Sequence, residues 1–233
     1  MNQYLLFIDT EGSGLPKKWN EPYSKEGNWP YAVQVSWLVY TRDGQELKRE
    51  DHYIKNDDFK ITKGSVKIHG ITRELLNRKG EDRAYVMQRL ADDLNTYQPL
   101  VIGHFIELDY HVLAADFLRA GVENPIPKLN LPAFCTMLAS TRFVRNPQSS
   151  FLKLGQLYDT LFNTALLNPH NAIIDAKATA DCFFEMLKRG DLTVDTVVQQ
   201  KPDLSIRLAG DKKPAWVFFS FLIVFIIIAA FWL

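Results

Sequence analysis

The chain has 233 residues, which suits one domain of ordinary size with an additional segment. Its 27 Lys and Arg balance 27 Asp and Glu, and 47% of its residues are hydrophobic, so a disordered chain and a polycationic nucleic-acid coat are both excluded. The two cysteines are too few for a disulfide framework or a cysteine-rich zinc site, and they favour a reducing compartment.

The first part of the chain predicts three strands. Residues 3–9 form a mostly apolar run that leads into the segment DTEGSG, as a buried strand entering a glycine-rich turn does. Residues 16–30 contain three prolines and two tryptophans without periodicity, which indicates a surface loop. Two β-rich runs, 31–41 and 46–55, flank an Asp-Gly pair, and this arrangement is typical of a hairpin.

Helical patterns alternate with short apolar runs in the next part of the chain. The predicted helices are 62–68, 72–78, 82–97, 107–120, 152–162 and 171–188, and the predicted strands are 99–103 and 131–136. Three strands followed by alternating helices and strands predict an α/β domain with a mixed sheet over residues 1–190. Residues 191–214 are polar, contain two prolines and are predicted to be a linker.

The sequence ends in an apolar run. Residues 215–233 carry no charge, and as a helix these nineteen residues would be about 28 Å long, close to the hydrocarbon thickness of a bilayer. Lys212 and Lys213 flank the amino-terminal side, which favours a cytoplasmic position for the rest of the chain. We therefore expect a single-pass transmembrane tail anchor with the preceding domain in the cytoplasm.

Two alternatives explain this apolar run less well. A buried terminal helix of the globular domain would usually keep a polar stripe, and residues 215–233 have none. A glycosylphosphatidylinositol signal would be preceded by a clear run of small residues, which is missing here. The membrane is therefore the favoured partner of this segment.

Five residues suited to metal-dependent chemistry lie near predicted strand ends and helix starts. Asp9 and Glu11 are two positions apart, so an extended backbone would direct both carboxylates to the same face. Asp109 lies in the first turns of an otherwise apolar helix. His170 precedes the last predicted helix and Asp175 lies one turn inside it, so a loop imidazole and a helical carboxylate can converge there.

Each of these residues taken alone also has a structural explanation. Asp9 and Glu11 are suited to a turn or a helix cap, Asp109 to the helix macrodipole, and a lone His or Asp to a solvated surface. Together, four carboxylates and one imidazole are the groups that a two-ion phosphodiester site requires. Oxygen ligands favour Mg²⁺ or Mn²⁺ over zinc, and a neutral imidazole can accept the proton of an attacking water.

The order and spacing of these residues resemble the DnaQ-like DEDDh 3′–5′ exonucleases, the family of RNase T and of the DNA polymerase III epsilon subunit. Residues 9–15, DTEGSGL, resemble the first family motif, D-x-E-[TS]-[TS]-G-L, with Gly12 in place of a hydroxyl residue. GHFIELD at 103–109 resembles the second motif, and HNAIIDA at 170–176 resembles the third. IHGIT at 68–72 resembles a further family segment.

The resemblance covers about residues 3–190 and implies an RNase H-like fold, with a five-stranded sheet flanked by helices. It implies two divalent cations, Mg²⁺ or Mn²⁺, with His170 as general base and four metal ligands: Asp9, Glu11, Asp109 and Asp175. Three further residues match family positions near the terminal nucleotide, Leu15, Ile68 and His69, and Phe105 is a fourth candidate substrate contact. Packing explains Leu15 and Ile68 equally well, and Phe105 stands where many members have Asn.

The function that the resemblance implies is removal of nucleoside monophosphates from nucleic-acid 3′ ends. Single-stranded DNA or RNA is the expected substrate, because the terminal nucleotide must be splayed into the site. Many relatives form homodimers, so a homodimer is a candidate state. The alternative is a catalytically silent, membrane-tethered nucleic-acid-binding module, and a polymerase proofreading subunit fits a membrane anchor poorly.

Overall fold

The computed structural model describes residues 1–145 and 148–206, and its five strands form one mixed sheet. The strands are β1 (Tyr4–Gly12), β2 (Ala32–Thr41), β3 (Glu46–Tyr53), β4 (Leu100–Gly103) and β5 (Ala133–Cys135). Their order across the sheet is β3-β2-β1-β4-β5. The first three strands pair antiparallel, and β4 and β5 continue the sheet in parallel pairing. The predicted mixed five-stranded sheet is confirmed.

Helices cover both faces of this sheet. They are α1 (Lys63–His69), α2 (Arg73–Lys79), α3 (Arg83–Tyr97), α4 (Ile106–Ala120), α5 (Pro125–Lys128), α6 (Thr136–Ala139), α7 (Leu154–Phe162), α8 (Ala172–Lys188) and α9 (Val194–Gln199), with a 3₁₀ helix at Ser140–Phe143. Each of the six predicted helices is present within two residues of its expected ends. Four predicted starts are N-caps instead, and three of them, Thr62, Thr72 and Asp82, accept a backbone N–H from the residue three positions ahead.

The alternating side chains of β1 separate two hydrophobic cores. Leu6 and Ile8 contribute to the core that contains α3 and α4, whereas Leu5 and Phe7 contribute to the core that contains α7 and α8. The period of two continues along the strand. Side chains at the next odd positions therefore lie on the α8 face of the sheet.

The segment predicted to be a linker contains a packed helix. In α9, Val197 is buried, and Leu192 ahead of the helix is buried in the same core. The side chain of Gln200 bonds both backbone groups of Cys135 in β5, at 2.7 and 3.2 Å. The packed part of the fold therefore extends beyond residue 190, the domain boundary expected from composition.

The predicted membrane anchor, 215–233, and the preceding residues 207–214 lie outside the described part of the chain. Within residues 1–145 and 148–206, no helix combines the length and the apolar character needed to cross a bilayer. Tethering to a membrane therefore stays a prediction from the sequence.

Candidate active site

β1 carries two of the five predicted residues within regular strand. It stays extended through Gly12, where Asp9 lies opposite Ser36 of β2 and Glu11 lies opposite Gln34. Asp9 and Glu11 continue the odd-numbered face of β1, so both carboxylates are directed toward the α8 side of the sheet. The expected shared face of the acidic pair is therefore present.

The third predicted residue is tied to the same strand from the other side of the sheet. Asp109, in the first turn of α4, is 4% exposed. Its Oδ1 accepts two hydrogen bonds from Thr10, one from the backbone N–H at 2.9 Å and one from the hydroxyl at 2.8 Å. Thr10, which the sequence reasoning did not single out, thus fixes the carboxylate of α4 against β1.

The last two predicted residues meet at the start of α8. The backbone N–H of His170 donates to Oδ2 of Asp175 at 2.9 Å, which confirms the expected loop-and-helix arrangement. One potential ligand atom each from Glu11, His170 and Asp175 lie within 4.8 Å of one another. Glu11 and Asp175 are buried, and His170 is exposed.

The carboxylates raise one another's pKa. Burial raises the pKa of Asp9 well above its usual range, and the charges of Asp109, Asp175 and Glu11 raise it further. Burial and the charges of Asp175 and Asp109 raise the pKa of Glu11 to about 8. Burial also raises the pKa of Asp109 to about 7, against the two Thr10 hydrogen bonds, and that of Asp175 to about 6, against the His170 N–H. Confined negative charge of this kind favours a bound cation.

The donor set fits divalent cations. Four carboxylates supply hard oxygen ligands, and an imidazole lies beside them. In the described part of the chain, Oδ1 of Asp175 is buried and has no hydrogen-bond partner. A buried carboxylate oxygen without a donor is costly, and a metal ion would satisfy it.

Two effects favour the neutral form of His170, which a proton acceptor needs. The surrounding protein partly desolvates this exposed side chain and lowers its pKa, and the positive charge of Lys153 lowers the pKa further. A neutral imidazole can take a proton from a reacting group.

Three of the residues expected near the substrate lie around the end of β1. Leu15 is 47% exposed and Ile68 is 36% exposed, which is unlike a core position. His69, at the end of α1, hydrogen-bonds the carbonyl of Gly12 through Nε2 at 3.3 Å, and its Nδ1 accepts the N–H of Ile71 at 2.9 Å. His69 therefore fixes α1 beside the β1 terminus.

Phe105 begins α4 with a left-handed backbone, φ 71° and ψ 45°, and its ring contacts the loop at 16–30. The ring of Trp19 in that loop lies 6.2 Å from Phe105, 6.0 Å from Trp29 and 5.7 Å from His111, measured between centroids. The loop predicted as irregular is thus packed on the start of α4, next to Asp109.

Comparisons with known proteins identify the family and the fold. A family model for exonucleases, RNase T, matches residues 32–183, which is more than half of the chain. No curated protein matches the chain. Similar solved structures include E. coli exonuclease I in complex with a dT13 oligonucleotide, at 19% identity and a TM-score of 0.65, covering 80% of this chain and 41% of that one. A zinc-bound E. coli exonuclease I complex with single-stranded DNA has 20% identity and a TM-score of 0.67, covering 81% and 41%.

Proposed function

The chain belongs to the RNase T family of exonucleases, and we propose that it is a metal-dependent 3′-to-5′ exonuclease that releases nucleoside monophosphates from single-stranded ends. The observation that carries this proposal is the meeting of Glu11, Asp175 and His170 within 4.8 Å, beside two further buried carboxylates. The chain spans about two fifths of the exonuclease I chains, so substrate and direction are inferred from the site.

Each residue has a role that follows from its position. Asp9, Glu11, Asp109 and Asp175 would hold two divalent cations, Mg²⁺ or Mn²⁺, which supply charge stabilisation for phosphodiester hydrolysis. Thr10 holds the Asp109 carboxylate, and Asp175 accepts the backbone N–H of His170. The neutral imidazole of His170 accepts a proton from the attacking water.

The substrate end would be held by apolar groups around the acidic cluster. Exposed Leu15 and Ile68 lie on segments joined at Gly12 by His69, and half-buried Phe105 lies at the start of α4. A net charge of zero disfavours long electrostatic contact with a duplex, so stacking and apolar contact with a splayed single strand fit better. The similar exonuclease I structures are complexes with single-stranded DNA, which makes DNA the first substrate to test.

The digestion assay uses the full chain in detergent and oligonucleotides labelled at the 5′ end. With Mg²⁺ or Mn²⁺ we expect a ladder that shortens from the 3′ end with release of mononucleotides, and EDTA should stop it. The same assay on single-stranded and double-stranded DNA and RNA measures the substrate preference. Internal cleavage, or binding without shortening, contradicts the proposal, and the second result favours the silent binding module.

We also propose that residues 215–233 tether this activity to a membrane, with the folded domain on the cytoplasmic side. The basis is the uncharged nineteen-residue run and the lysines that precede it. Deleting 215–233 should move the protein from the membrane to the soluble fraction with digestion retained. Continued membrane association of the deletion variant contradicts tethering, and sedimentation of the full chain in detergent tests the expected homodimer.

A further inference from the structure

The segment that carries His170 needs support from outside its own helix. His170 has φ 65°, in the left-handed region that residues with a Cβ adopt at a cost. Asn171, the N-cap of α8, makes no side-chain cap hydrogen bond. The first N–H groups of a helix lack partners inside it, so another group must satisfy them.

The partner comes from the neighbouring strand β2. Gln34 is 0% exposed, and its Oε1 accepts the backbone N–H of Ala172, the first residue of α8, at 3.2 Å. Its Nε2 donates to Oδ1 of Asn171 at 3.4 Å. Gln34 therefore caps α8 from the sheet and contacts the two residues that follow His170.

A third strand fixes the orientation of this amide. Nε2 of Gln34 donates to Oδ1 of Asp51 in β3 at 2.8 Å, and Ser36 donates its hydroxyl to the same oxygen at 2.7 Å. A carboxylate accepts hydrogen bonds only, so it selects the NH₂ side of the amide. Oε1 is thereby directed toward the helix start.

The strand register places this support beside the acidic cluster. Gln34 lies directly opposite Glu11 in the β1–β2 pair, so both side chains lie on the face of the sheet that α8 covers. One residue thus borders a proposed metal ligand and holds the segment that carries the proposed base.

We propose that Gln34, braced by Asp51, is a positioning residue for His170. It acts through the side chain of Asn171 and the backbone N–H of Ala172, and these contacts set where the imidazole lies relative to Glu11 and Asp175. The inference rests on the proposed function, since it concerns the base of that reaction. Gln34 itself touches no reacting atom.

The first test is the Gln34→Leu variant, which removes both kinds of hydrogen bond at similar volume. We expect kcat for single-stranded oligonucleotide digestion to fall by about 10- to 100-fold, because small displacements of a catalytic group are costly. KM and Mn²⁺ affinity should change less than about 3-fold, which corresponds to about 0.6 kcal/mol.

The matched control is Gln200→Leu. Gln200 likewise forms hydrogen bonds through both ends of its amide, but its partners are the backbone groups of Cys135, so it joins the end of α9 to β5 and does not contact the His170 segment. The Gln200→Leu variant should be less stable than the wild-type chain and should keep the wild-type kcat. Equal losses of kcat in the two glutamine variants would overturn the proposal.

A double variant separates positioning from general damage. In a His170→Ala background, Gln34→Leu should lower kcat by less than about 2-fold, because residues that act as a unit are not additive. A further loss of 10-fold or more would show that Gln34 acts independently of His170.

A spectroscopic readout does not depend on turnover. In the ¹³C-histidine-labelled full chain, the imidazole resonance of His170, assigned by its absence in His170→Ala, should shift in Gln34→Leu and stay in Gln200→Leu. If the wild-type chain digests nothing, the proposed function fails, and this resonance still decides the positioning role. An unchanged His170 resonance in Gln34→Leu overturns it.

Asp51→Ala provides a second variant in case Gln34→Leu does not fold, because Asp51 is exposed. Loss of the brace should lower kcat about 2- to 5-fold, within the effect of a lost hydrogen bond, and shift the His170 resonance. Wild-type kcat together with an unmoved resonance would contradict the proposal.

Discussion

Two buried aspartates on α4, two turns apart, have opposite surroundings. Asp116 is 0% exposed, and it accepts hydrogen bonds from the guanidinium of Arg119 at 2.6 Å and from the N–H of Ala32 at 2.9 Å, with Arg83 at 3.8 Å. Asp109 instead accepts hydrogen bonds from two neutral donors, the N–H and the hydroxyl of Thr10, and faces other carboxylates. Arginine side chains of the protein itself therefore neutralise Asp116.

The difference distinguishes a structural acid from a functional one. Burial raises the pKa of Asp116 too, but Arg119 and Arg83 oppose that rise, and Arg119 also bonds the carbonyls of Trp29 and Pro30. Asp116 thus holds the end of the 16–30 loop. Within the described residues no cationic side chain forms an ion pair with Asp109, so its burial costs stability unless a cation comes from solution.

The largest expected effect is on catalysis, at the cluster without built-in cations. Asp9→Asn and Asp175→Asn each remove one carboxylate charge, and we expect kcat to fall by at least about 10³-fold, since metal-ion stabilisation is worth several kcal/mol. The fold should remain, because each change also removes mutual repulsion. Digestion rates and circular dichroism measure both effects, and near-wild-type rates in either variant would refute the site.

The comparison itself predicts opposite changes in stability. Asp116→Ala leaves two guanidinium groups without their buried counter-charge and should lower the free energy of unfolding by about 3–5 kcal/mol. Asp109→Asn keeps an acceptor for Thr10 and should leave the metal-free protein as stable as wild type or more so. Urea unfolding in EDTA measures both. Asp92→Ala, at an exposed position of α3, is the control. Equal losses of unfolding free energy in Asp109→Asn and Asp116→Ala would contradict the distinction between the two aspartates.

A pH dependence sharpens the same contrast. Glu11 and Asp109 have folded pKa values of about 8 and 7 against ordinary values of 4.5 and 3.8, so the fold holds protons that the unfolded chain has released. In EDTA, stability should therefore fall by about 2 kcal/mol as pH rises from about 6.5 to 8.5. His104, with a pKa lowered by burial from 6.5 to about 4, is neutral in the fold and about half protonated in the unfolded chain at pH 6.5, so it opposes this fall by only about 0.4 kcal/mol.

Saturating Mg²⁺ should remove most of this slope, because a bound cation favours the ionised carboxylates. Glu11→Gln should remove much of it without metal. Urea unfolding across the pH range measures the slope. Stability that rises with pH in EDTA would contradict the pKa assignments. A fall in stability that Mg²⁺ leaves unchanged would contradict them as well.

The smallest expected effect concerns Phe105, at the start of α4. Asn adopts the left-handed backbone more readily than Phe, so Phe105→Asn should raise stability by up to about 1 kcal/mol in backbone terms. The same change removes a ring beside the site and should weaken single-stranded DNA binding by about 3- to 10-fold. Thermal unfolding and fluorescence anisotropy measure the two effects. Tighter binding by the variant would exclude a stacking role.

Local patterns predicted most of the fold. The apolar alternation of β1, the caps at Thr62, Thr72 and Asp82, and the glycine after α4 are each encoded within a few residues, and the corresponding elements appear where expected. The five candidate site residues were found because each lies in a short motif. Their convergence follows from the parallel β1–β4 pairing and the packing of α8.

The features that sequence reasoning missed depend on long-range geometry. In the sequence, Gln34 is not distinguished from other polar residues of β2. Its role is visible only when the β1–β2 register and the position of the start of α8 are known. α9 is six residues long and lies in a polar segment, so it has too little periodicity to predict. Besides Arg119 on α4 itself, Asp116 has partners on α3 and at the first residue of β2, which no local pattern links to α4.

Titration of Mn²⁺ into the full chain in detergent, followed by calorimetry, tests the metal site most directly. We expect the wild-type chain and Asp116→Asn to bind with the same affinity, and Asp109→Asn to bind at least about 10-fold more weakly, a difference of 1.4 kcal/mol. No binding to the wild-type chain, or equal affinity in all three proteins, would contradict the assignment of the acidic cluster as a metal site.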